Sequence, residues 1–284
     1  MTTFFGIKGI QSHAYGIKTL DEVFKFHDHI HDEVVHQKLD KEYFVIGAGL
    51  TGVEMASALN QYLGSLKDVY RLKNARPKVT LIEAKDRVLP HMSKTASKKV
   101  HTELKRQGIK LLVNHRVTAL ENDAINIEGK LYSTTTAVWT SGVANNPFFK
   151  ANSGYFDLAK DGRVNVNPYL EALDHVYVIG DNTTIEQTGM AWPAFKQAKH
   201  VAKSITRVAT RREQLPYRSH SVPIGVPVGE HWGYVEWFGL YVAGRTGSLV
   251  RRWMELYGYC QLLPLREAIP VWRAHDIRDV DSIL

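Results

Sequence analysis

Cysteine is nearly absent from the chain, and long apolar runs are missing altogether. The only thiol among the 284 residues is Cys260. One thiol cannot form a disulfide framework, a CxxC metal site or a redox-active cysteine pair. No apolar run approaches the ~18 residues of a membrane-spanning helix. The opening MTTFFGIKGI lacks a charged n-region and is interrupted by Lys8, unlike a signal peptide. These absences predict a cytoplasmic protein.

Acidic residues are the scarcer charged class. Lys and Arg number 36 against 29 Asp and Glu, which gives a net charge of +7. Such an excess favours an anionic partner, whether nucleotide, membrane surface or nucleic acid, although a modestly basic enzyme would have the same composition. Because no nucleic-acid recognition motif is present, we expect no nucleic-acid partner. The composition, 44% apolar and 23% charged, is that of a globular protein with about two domains.

Strand and helix patterns alternate through the first half of the chain. Apolar strand patterns occupy Glu42–Ile46, 79–83 and 109–113, with helical patterns between them. Four residues mark one apolar face of the first of these helices: Val53, Ala56, Leu59 and Leu63. Residues 62–78 have the composition of a polar, basic insertion. The alternation predicts an α/β fold with a parallel, doubly wound sheet.

A histidine-rich helix precedes this sheet. The capping box Thr19-Leu-Asp-Glu22 predicts its start, and the pattern continues to about Lys38. Of its histidines, only His27 and His31 have the i, i+4 spacing that places two ligands on one helix face, and the HExxH pattern is absent. We therefore expect a solvated polar face and no metal site.

A glycine motif lies between the first strand and the following helix. Residues 43–54 read YFVIGAGLTGVE, which contains Gly47-x-Gly49-x-x-Gly52. In dinucleotide sites the first glycine makes the tight turn, the second lets the pyrophosphate approach, and the third permits helix–strand packing. The helix N-terminus, which includes Leu50 and Thr51, then offers N–H groups to the phosphates.

An acidic residue completes the predicted dinucleotide site. Glu83 ends the next strand, where its carboxylate would bind the adenosine ribose hydroxyls and repel a 2′-phosphate. It lies 31 residues beyond Gly52 instead of the usual ~20, and the insertion at 62–78 accounts for the excess. The motif therefore predicts dinucleotide binding with a preference for NADH over NADPH.

The second half of the chain has a different pattern. Asp161-Gly162 has the composition of a hairpin turn between short strands, and residues 176–181 form a second apolar strand that ends in Gly-Asp. A helix is predicted from Pro193 to Ala209. Residues 207–218 hold four arginines against one glutamate, which is typical of a linker. Four of the six tryptophans lie between Trp232 and Trp272.

Four segments carry a family resemblance. GAGLTGVE, LIEAKDRVLP, VWTSGV and HVYVIGDNT follow one another as in the pyridine nucleotide-linked flavoproteins, and the chain most resembles the type II NADH dehydrogenases. The resemblance implies a Rossmann-like NADH-binding domain inserted in part of an FAD-binding domain, followed by an amphipathic helical segment. The implied divisions are 1–38 (linker and partial FAD domain), 39–145 (NADH-binding domain), 146–215 (FAD domain) and 216–284 (membrane association).

The resemblance also implies roles for individual residues. Gly180 and Asp181 would contact FAD, and Glu54 would lie near the nicotinamide. A helix N-cap is the alternative for Asp181, and a favourable first-turn charge is the alternative for Glu54. Gly142 would let the backbone approach the cofactors. The acceptor, a quinone in this family, would bind near Lys196, Gln197 and His200.

The family's N-terminal FAD fingerprint has no counterpart in the sequence. Residues 1–38 resemble the segment that links the FAD fingerprint to the NADH fingerprint. We therefore expect the sequence to begin after the FAD-adenosine half, and to hold FAD poorly without it.

The last segment contains an apolar stripe with helical spacing. It comprises Leu249, Val250, Trp253, Leu256, Tyr257 and Cys260, with Arg251, Arg252 and Glu255 off the stripe. A basic amphipathic helix of this kind is typical of an interfacial membrane anchor. The competing interpretation is that the stripe packs on the protein itself.

The sequence thus predicts a flavoenzyme that passes a hydride from NADH to FAD and electrons to a quinone, as a cytoplasmic, peripheral membrane protein. A homodimer is one assembly open to it. Two alternatives remain: a flavoprotein reductase with a soluble acceptor, and an NADH-binding module without catalysis. A flavin absorption spectrum distinguishes an enzyme from such a module.

Overall fold

The computed structural model describes residues 3–36, 42–72, 74–142, 144–186 and 189–274. The chain divides into a large unit, Phe4–Gly142 with Pro223–Leu284, and a small unit, Val143–Val222 with Met1–Thr3. The helices are α1 Ile10–His13, α2 Leu20–Val35, α3 Leu50–Val69, α4 Lys94–Arg106, α5 Pro147–Ala151, α6 Ala191–Ala209, α7 Arg245–Tyr259 and α8 Leu265–Ala274. The strands are β1 Glu42–Ile46, β2 Lys78–Glu83, β3 Lys110–Val113, β4 Val117–Leu120, β5 Ala124–Ile127, β6 Lys130–Ser133, β7 Ala137–Trp139, β8 Glu171–Leu173, β9 Val176–Tyr177, β10 Ile224–Pro227, β11 Gly233–Trp237 and β12 Leu240–Gly244.

A parallel sheet forms the centre of the large unit. Its order is β3-β2-β1-β7, with Phe44 opposite both Thr80 and Ala137. β1 is buried on both faces, which is why it reads as a continuous apolar run. The four residues predicted to form the apolar face of α3 are all buried: Val53, Ala56, Leu59 and Leu63. The predicted α/β fold with a parallel sheet is confirmed.

Helix α3 is longer than the sequence pattern indicated. The predicted polar insertion at 62–78 is wrong in its first part, because α3 continues to Val69. Leu66 extends the apolar face by another turn beyond the predicted Leu63, and both are buried. The polar residues that suggested an insertion therefore lie on the outer face of a helix.

The capping box of α2 is confirmed. The Glu22 amide donates to Thr19 Oγ1, and Glu22 Oε2 accepts from the Thr19 amide. The prediction of a wholly solvated polar face is wrong at Glu33, which is buried and accepts hydrogen bonds from Tyr43 Oη at 2.8 Å and Thr135 Oγ1 at 2.9 Å. Among the described residues, no three potential metal ligands lie together. The predicted end of the helix near Lys38 lies outside the described residues.

An antiparallel sheet with α7 against it completes the large unit. Strands β10, β11 and β12 pair in that order, and α7 packs on them through its small residues, Gly247 and Ser248. Leu249, Trp253 and Tyr257 are 57, 58 and 57% exposed. The Trp253 ring also lies 6.0 Å from that of Trp272 on α8, so the stripe packs on the protein in part and is more than half exposed at these three residues. Nowhere in the described ranges does a helix combine the length and apolar composition that crossing a bilayer requires.

The small unit is built around Phe156, Val164 and Val178. The predicted turn at Asp161-Gly162 is present, with Gly162 at φ 81°, but it joins an isolated bridge between Leu158 and Val164 instead of two strands. The predicted strand at 176–181 is shorter than expected, because β9 ends at Tyr177 and a 3₁₀ turn follows at Gly180–Asn182. Helix α6 agrees with its prediction.

Candidate functional site

The three glycines between β1 and α3 occupy positions with different steric demands. Gly47 has φ 104°, which disfavours other residues, and a Cβ there would lie 1.9 Å from Ser141 Oγ. A Cβ on Gly52 would lie 1.7 Å from the Gly47 carbonyl oxygen, because the helix meets the strand end at this point. A Cβ on Gly49 would meet no protein atom within 4 Å. The turn is therefore closed at Gly47 and Gly52 and open at Gly49.

The open side of the turn coincides with the start of α3. Gly49 caps this helix without a side-chain hydrogen bond. The first N–H groups of an α-helix have no partner within the helix, so those of Leu50 and Thr51 remain for a ligand. These amides and the positive end of the helix dipole favour a phosphate group.

Glu83 at the end of β2 is hydrogen-bonded to the same turn. Its Oε2 accepts from the Ala48 amide at 2.8 Å, and its Oε1 accepts from the Lys85 amide at 2.9 Å. Two backbone donors fix the carboxylate at the edge of the sheet, with lone pairs left for further donors such as ribose hydroxyls.

Gly142 lies three residues after the end of β7, and the Lys18 side chain contacts its backbone. The Lys18 ammonium donates to the Gly142 carbonyl oxygen at 2.7 Å, and Gly142 has φ 72°. Burial lowers the pKa of Lys18, and the nearby Glu22 carboxylate opposes this shift. No sequence pattern could relate two residues 124 positions apart, so Lys18 was not predicted.

Glu54 is the fifth residue of α3, beyond the first turn, which contains no acidic residue, so the alternative of a favourable first-turn charge is wrong. It lies within a cluster of charges. Burial raises the pKa of its carboxyl to about 7, Arg251 acts to lower it, and Glu255 acts to raise it. Arg251 and Glu255 form an ion pair on α7, and the Arg251 side chain is only 14% exposed. Arg251 packs on Gly225 of β10, where a Cβ would lie 3.1 Å from Arg251 Cγ. No spacing or motif in the sequence indicates that α7 supplies these charges.

The small unit contains the Gly180-Asp181 pair. The Gly180 amide donates to Gln197 Oε1 at 2.7 Å, and Gly180 has φ 67°. Asp181 is exposed and its Oδ1 accepts from the Gly189 amide at 2.8 Å. Because Met190 is the N-cap of α6, the alternative that Asp181 caps this helix is wrong. The Asp181 carboxylate has its second oxygen left for a hydroxyl donor.

The three residues predicted near the acceptor differ in their environments. Gln197 is buried, and its Oε1 is engaged by the Gly180 amide. His200, three residues further along α6, lines a groove. Lys196 is half-buried. Of the three, Gln197 is the residue that contacts the Gly180-Asp181 pair, and its side-chain oxygen stabilises the turn at Gly180.

The chain is similar to known proteins in sequence and in structure. Residues 2–199 match the family model described as pyridine nucleotide-disulphide oxidoreductase. The chain is 25% identical over 268 residues to the type II NADH:quinone oxidoreductase of Staphylococcus saprophyticus, and 24% identical to that of Staphylococcus aureus. Each alignment covers 87% of this chain and 66% of the relative. The chain therefore spans just under two thirds of the length of these relatives.

Solved structures share the fold. NDH2 from Plasmodium falciparum in complex with NADH superposes with a TM-score of 0.78 at 15% identity, over 96% of this chain and 75% of that one. A water-forming NADH oxidase from Lactobacillus brevis bound to NADH gives a TM-score of 0.61 at 19% identity, over 83% and 49% of the two chains. At these identities the likeness establishes the fold alone.

Proposed function

Because this chain belongs to the pyridine nucleotide-disulphide oxidoreductase family, we propose that it binds NADH at the Gly47–Gly52 turn. The observation that carries this proposal is the shape of the turn, closed at Gly47 and Gly52 and open only at Gly49. The pyrophosphate would rest against Gly49 and the amides of Leu50 and Thr51. The Glu83 carboxylate would accept hydrogen bonds from the adenosine ribose.

The reaction we propose is NADH:quinone oxidoreduction, as in the type II relatives. FAD, when bound, would take the hydride of NADH and release its electrons to the acceptor. Gly180 and Asp181 would hold the flavin, since the Gly180 turn is fixed by Gln197 and the Asp181 carboxylate is exposed. Gly142, held by Lys18, would form the backbone wall of the nicotinamide site.

Glu54 has a further role in this proposal. Its pKa of about 7 lets it hold a proton at neutral pH in part of the molecules, and we propose that it lies near the nicotinamide, as the family resemblance implies. A carboxyl with a pKa near the working pH can both accept and give a proton. A quinone takes up two protons on reduction, so a group of this kind beside the reacting rings fits the proposed acceptor.

We also propose that the quinone is reached from a membrane surface. An apolar area runs over β11–β12 and α7, where Phe238 and Leu240 at the hairpin tip are 74 and 79% exposed. Each large apolar side chain would contribute roughly 1.5–3 kcal/mol if fully buried in lipid. Arg252 would add attraction to anionic lipid, but Arg251 would not, because it is buried and paired with Glu255.

A reductase with a soluble acceptor is the second candidate, favoured by the basic residues Lys196 and His200 where the acceptor was predicted. Purified protein decides between the candidates in two steps. A flavin spectrum with NADH oxidation supports an enzyme, and a colourless protein that binds NADH indicates a binding module. Faster turnover with a membrane-dissolved quinone than with ferricyanide supports the first candidate over the second.

The nucleotide assignment is tested by Glu83→Gln. The variant loses a charged acceptor for the ribose hydroxyls, so its affinity for NADH should fall about tenfold and its affinity for NADPH should fall less. The ratio of the two affinities should therefore move towards one. Fluorescence titration of both nucleotides measures this, with Glu121→Gln, an exposed carboxylate in the β4–β5 turn, as the control. Tighter binding of NADPH than NADH by the unmodified protein would show that Glu83 has another role.

A further inference from the structure

Positive charge is concentrated on one segment of the small unit. Residues 196–218, which include most of α6 and the segment after it, contain seven Lys and Arg but one acidic residue, Glu213. This segment therefore carries a net charge of +6 out of the +7 of the whole chain, and all other residues together carry only +1. The proposed NADH and flavin sites use none of these cations.

A groove of about 380 Å³ lies along this segment. Its walls come from α6 and from Leu215, and they comprise His200, Ala202, Lys203, Ser204, Thr206, Arg207 and Leu215. None of these lining residues carries a carboxylate. Lys203 and Arg207, which are one turn apart on α6, form no ion pair with any residue in the described part of the chain.

Arg207 is oriented by a single backbone contact. Its Nε donates to the Glu213 carbonyl oxygen, which fixes the plane of the guanidinium. The two terminal nitrogens of the guanidinium keep the fork geometry that binds phosphate or carboxylate oxygens in pairs. A fixed fork beside an ammonium group is suited to an anion with several oxygens.

His200 adds a hydrogen-bond acceptor to the same groove. Burial and the neighbouring Lys203 lower the pKa of its imidazole, and a hydrogen bond to the Leu215 backbone opposes this shift. The neutral ring donates to Leu215 through one nitrogen. Its other nitrogen, Nε2, is buried and has no partner among the described residues. A neutral Nε2 is an acceptor, so its missing partner is a donor such as a hydroxyl.

From these observations we propose that the α6 groove binds a glycerophosphate-like group, with the phosphate on Lys203 and Arg207 and a hydroxyl donating to His200 Nε2. This chemistry has two sources, a phospholipid headgroup with a free hydroxyl and a small phosphorylated alcohol. Lys203 and Arg207, which would bind the phosphate, belong to none of the proposed NADH, flavin and acceptor sites, whereas His200 was also predicted near the acceptor.

The test compares binding of soluble glycerol 3-phosphate with binding to phosphatidylcholine vesicles that contain phosphatidylglycerol. Calorimetry and co-sedimentation are done on the full chain without NADH. Lys203→Gln/Arg207→Gln should weaken binding by about tenfold or more, since each charge-assisted hydrogen bond to phosphate is lost. The vesicle experiment uses Leu249→Gln/Trp253→Gln as the parent protein, so that the proposed membrane contact of α7 does not contribute. Binding of the soluble ester identifies a metabolite as the source, and binding to vesicles but not to the ester identifies the headgroup.

A matched variant separates the groove from general charge attraction. Arg211→Gln/Arg212→Gln removes two exposed cations of the same segment that do not line the groove, and it should retain most of the binding. An equal loss in both double variants, or no binding of either probe by the unmodified chain, overturns the proposal.

The hydroxyl contact has its own readout. The unmodified protein should prefer glycerol 3-phosphate to methyl phosphate, and His200→Phe should abolish this preference while leaving phosphate binding in place. Equal affinity of the unmodified protein for the two esters would contradict the role given to His200.

Discussion

Helices α3 and α7 begin with nearly the same four residues and are used in opposite ways. α3 starts Gly49-Leu-Thr-Gly52, and α7 starts Gly244-Arg-Thr-Gly247. In both, the N-cap is a glycine. The second glycine packs on a backbone carbonyl oxygen at or next to the end of a strand: a Cβ would lie 1.7 Å from Gly47 O in α3 and 2.2 Å from Gly233 O in α7. The local sequence therefore determines how each helix meets its strand.

What differs is the surroundings of the two helices. α3 follows a parallel strand beside Glu83, and its apolar face is buried under the sheet. α7 follows an antiparallel strand, packs through Gly247 and Ser248, and turns Leu249, Trp253 and Tyr257 outward. A glycine turn at a helix start thus indicates close packing, and only its neighbours, here Glu83 and the open Gly49, point to a nucleotide.

The largest effect is expected where this packing is broken. Gly52→Ala and Gly247→Ala should each lower the free energy of unfolding by about 3 kcal/mol or more, because the new methyl group meets a backbone carbonyl that cannot move aside. Chemical denaturation measures both. Gly64→Ala and Gly258→Ala are matched controls within the same helices, since a Cβ there meets nothing within 4 Å. We expect these controls to stabilise by up to ~1 kcal/mol.

The same pair of variants sharpens the comparison of function. A folded Gly52→Ala protein should lose NADH affinity, whereas Gly247→Ala should bind NADH normally below its unfolding transition. Equal nucleotide affinity in the two variants would remove the distinction drawn between the helices.

The next effect concerns Glu54, the point at which α7 acts on α3. Its pKa is raised from about 4.3 in the unfolded chain to about 7 in the fold. Below pH 4 it is protonated in both states. As the pH rises through 4.3, the unfolded state ionises first, so the free energy of unfolding falls by up to ~4 kcal/mol until pH 7 and then levels off.

Glu54→Gln should abolish this fall, which denaturation at several pH values will show. Arg251→Gln should extend the fall to higher pH, because the charge that opposes the raised pKa is gone. Glu267→Gln, on the half-exposed surface of α8, serves as the control. A profile for Glu54→Gln that runs parallel to the unmodified protein's would mean that Glu54 is not buried as described.

The smallest effect on stability is expected on the outer face of α7. Leu249→Gln/Trp253→Gln should change the free energy of unfolding by no more than ~0.5 kcal/mol, since both side chains are exposed. The same variant should lose most of its sedimentation with anionic vesicles, while Leu131→Gln, an equally exposed apolar position on β6, retains it. A marked loss of stability would show that the stripe packs on the protein after all.

Periodicity predicted the parts of the molecule that depend on neighbouring residues. The buried run of β1, the face of α3 and the capping box at Thr19 each follow from residues within a few positions. Sequence reasoning was wrong where α3 continues beyond its predicted end, as at Leu66, because polar residues on an outer helix face resemble those of a loop.

The site residues that could not be predicted come from distant parts of the chain. Arg251 is buried because Gly225 on β10 leaves room for its side chain, and this is what brings a cation to Glu54. Lys18 reaches Gly142 through the tertiary fold alone. Neither contact leaves a spacing or composition that a reader of the sequence could recognise.

The discontinuous large unit has a consequence for synthesis. Tyr234, Val226 and Val228 belong to the same core cluster as β1 and α3, and the Gln107 amide donates to the Val228 carbonyl oxygen at 2.9 Å. Yet the 80 residues Val143–Val222 are translated between these parts. At about 5–20 residues per second, the ribosome takes roughly 4–16 seconds to cross that interval. During that time the first part of the large unit, Phe4–Gly142, has one side of its core exposed, and chaperones can bind there.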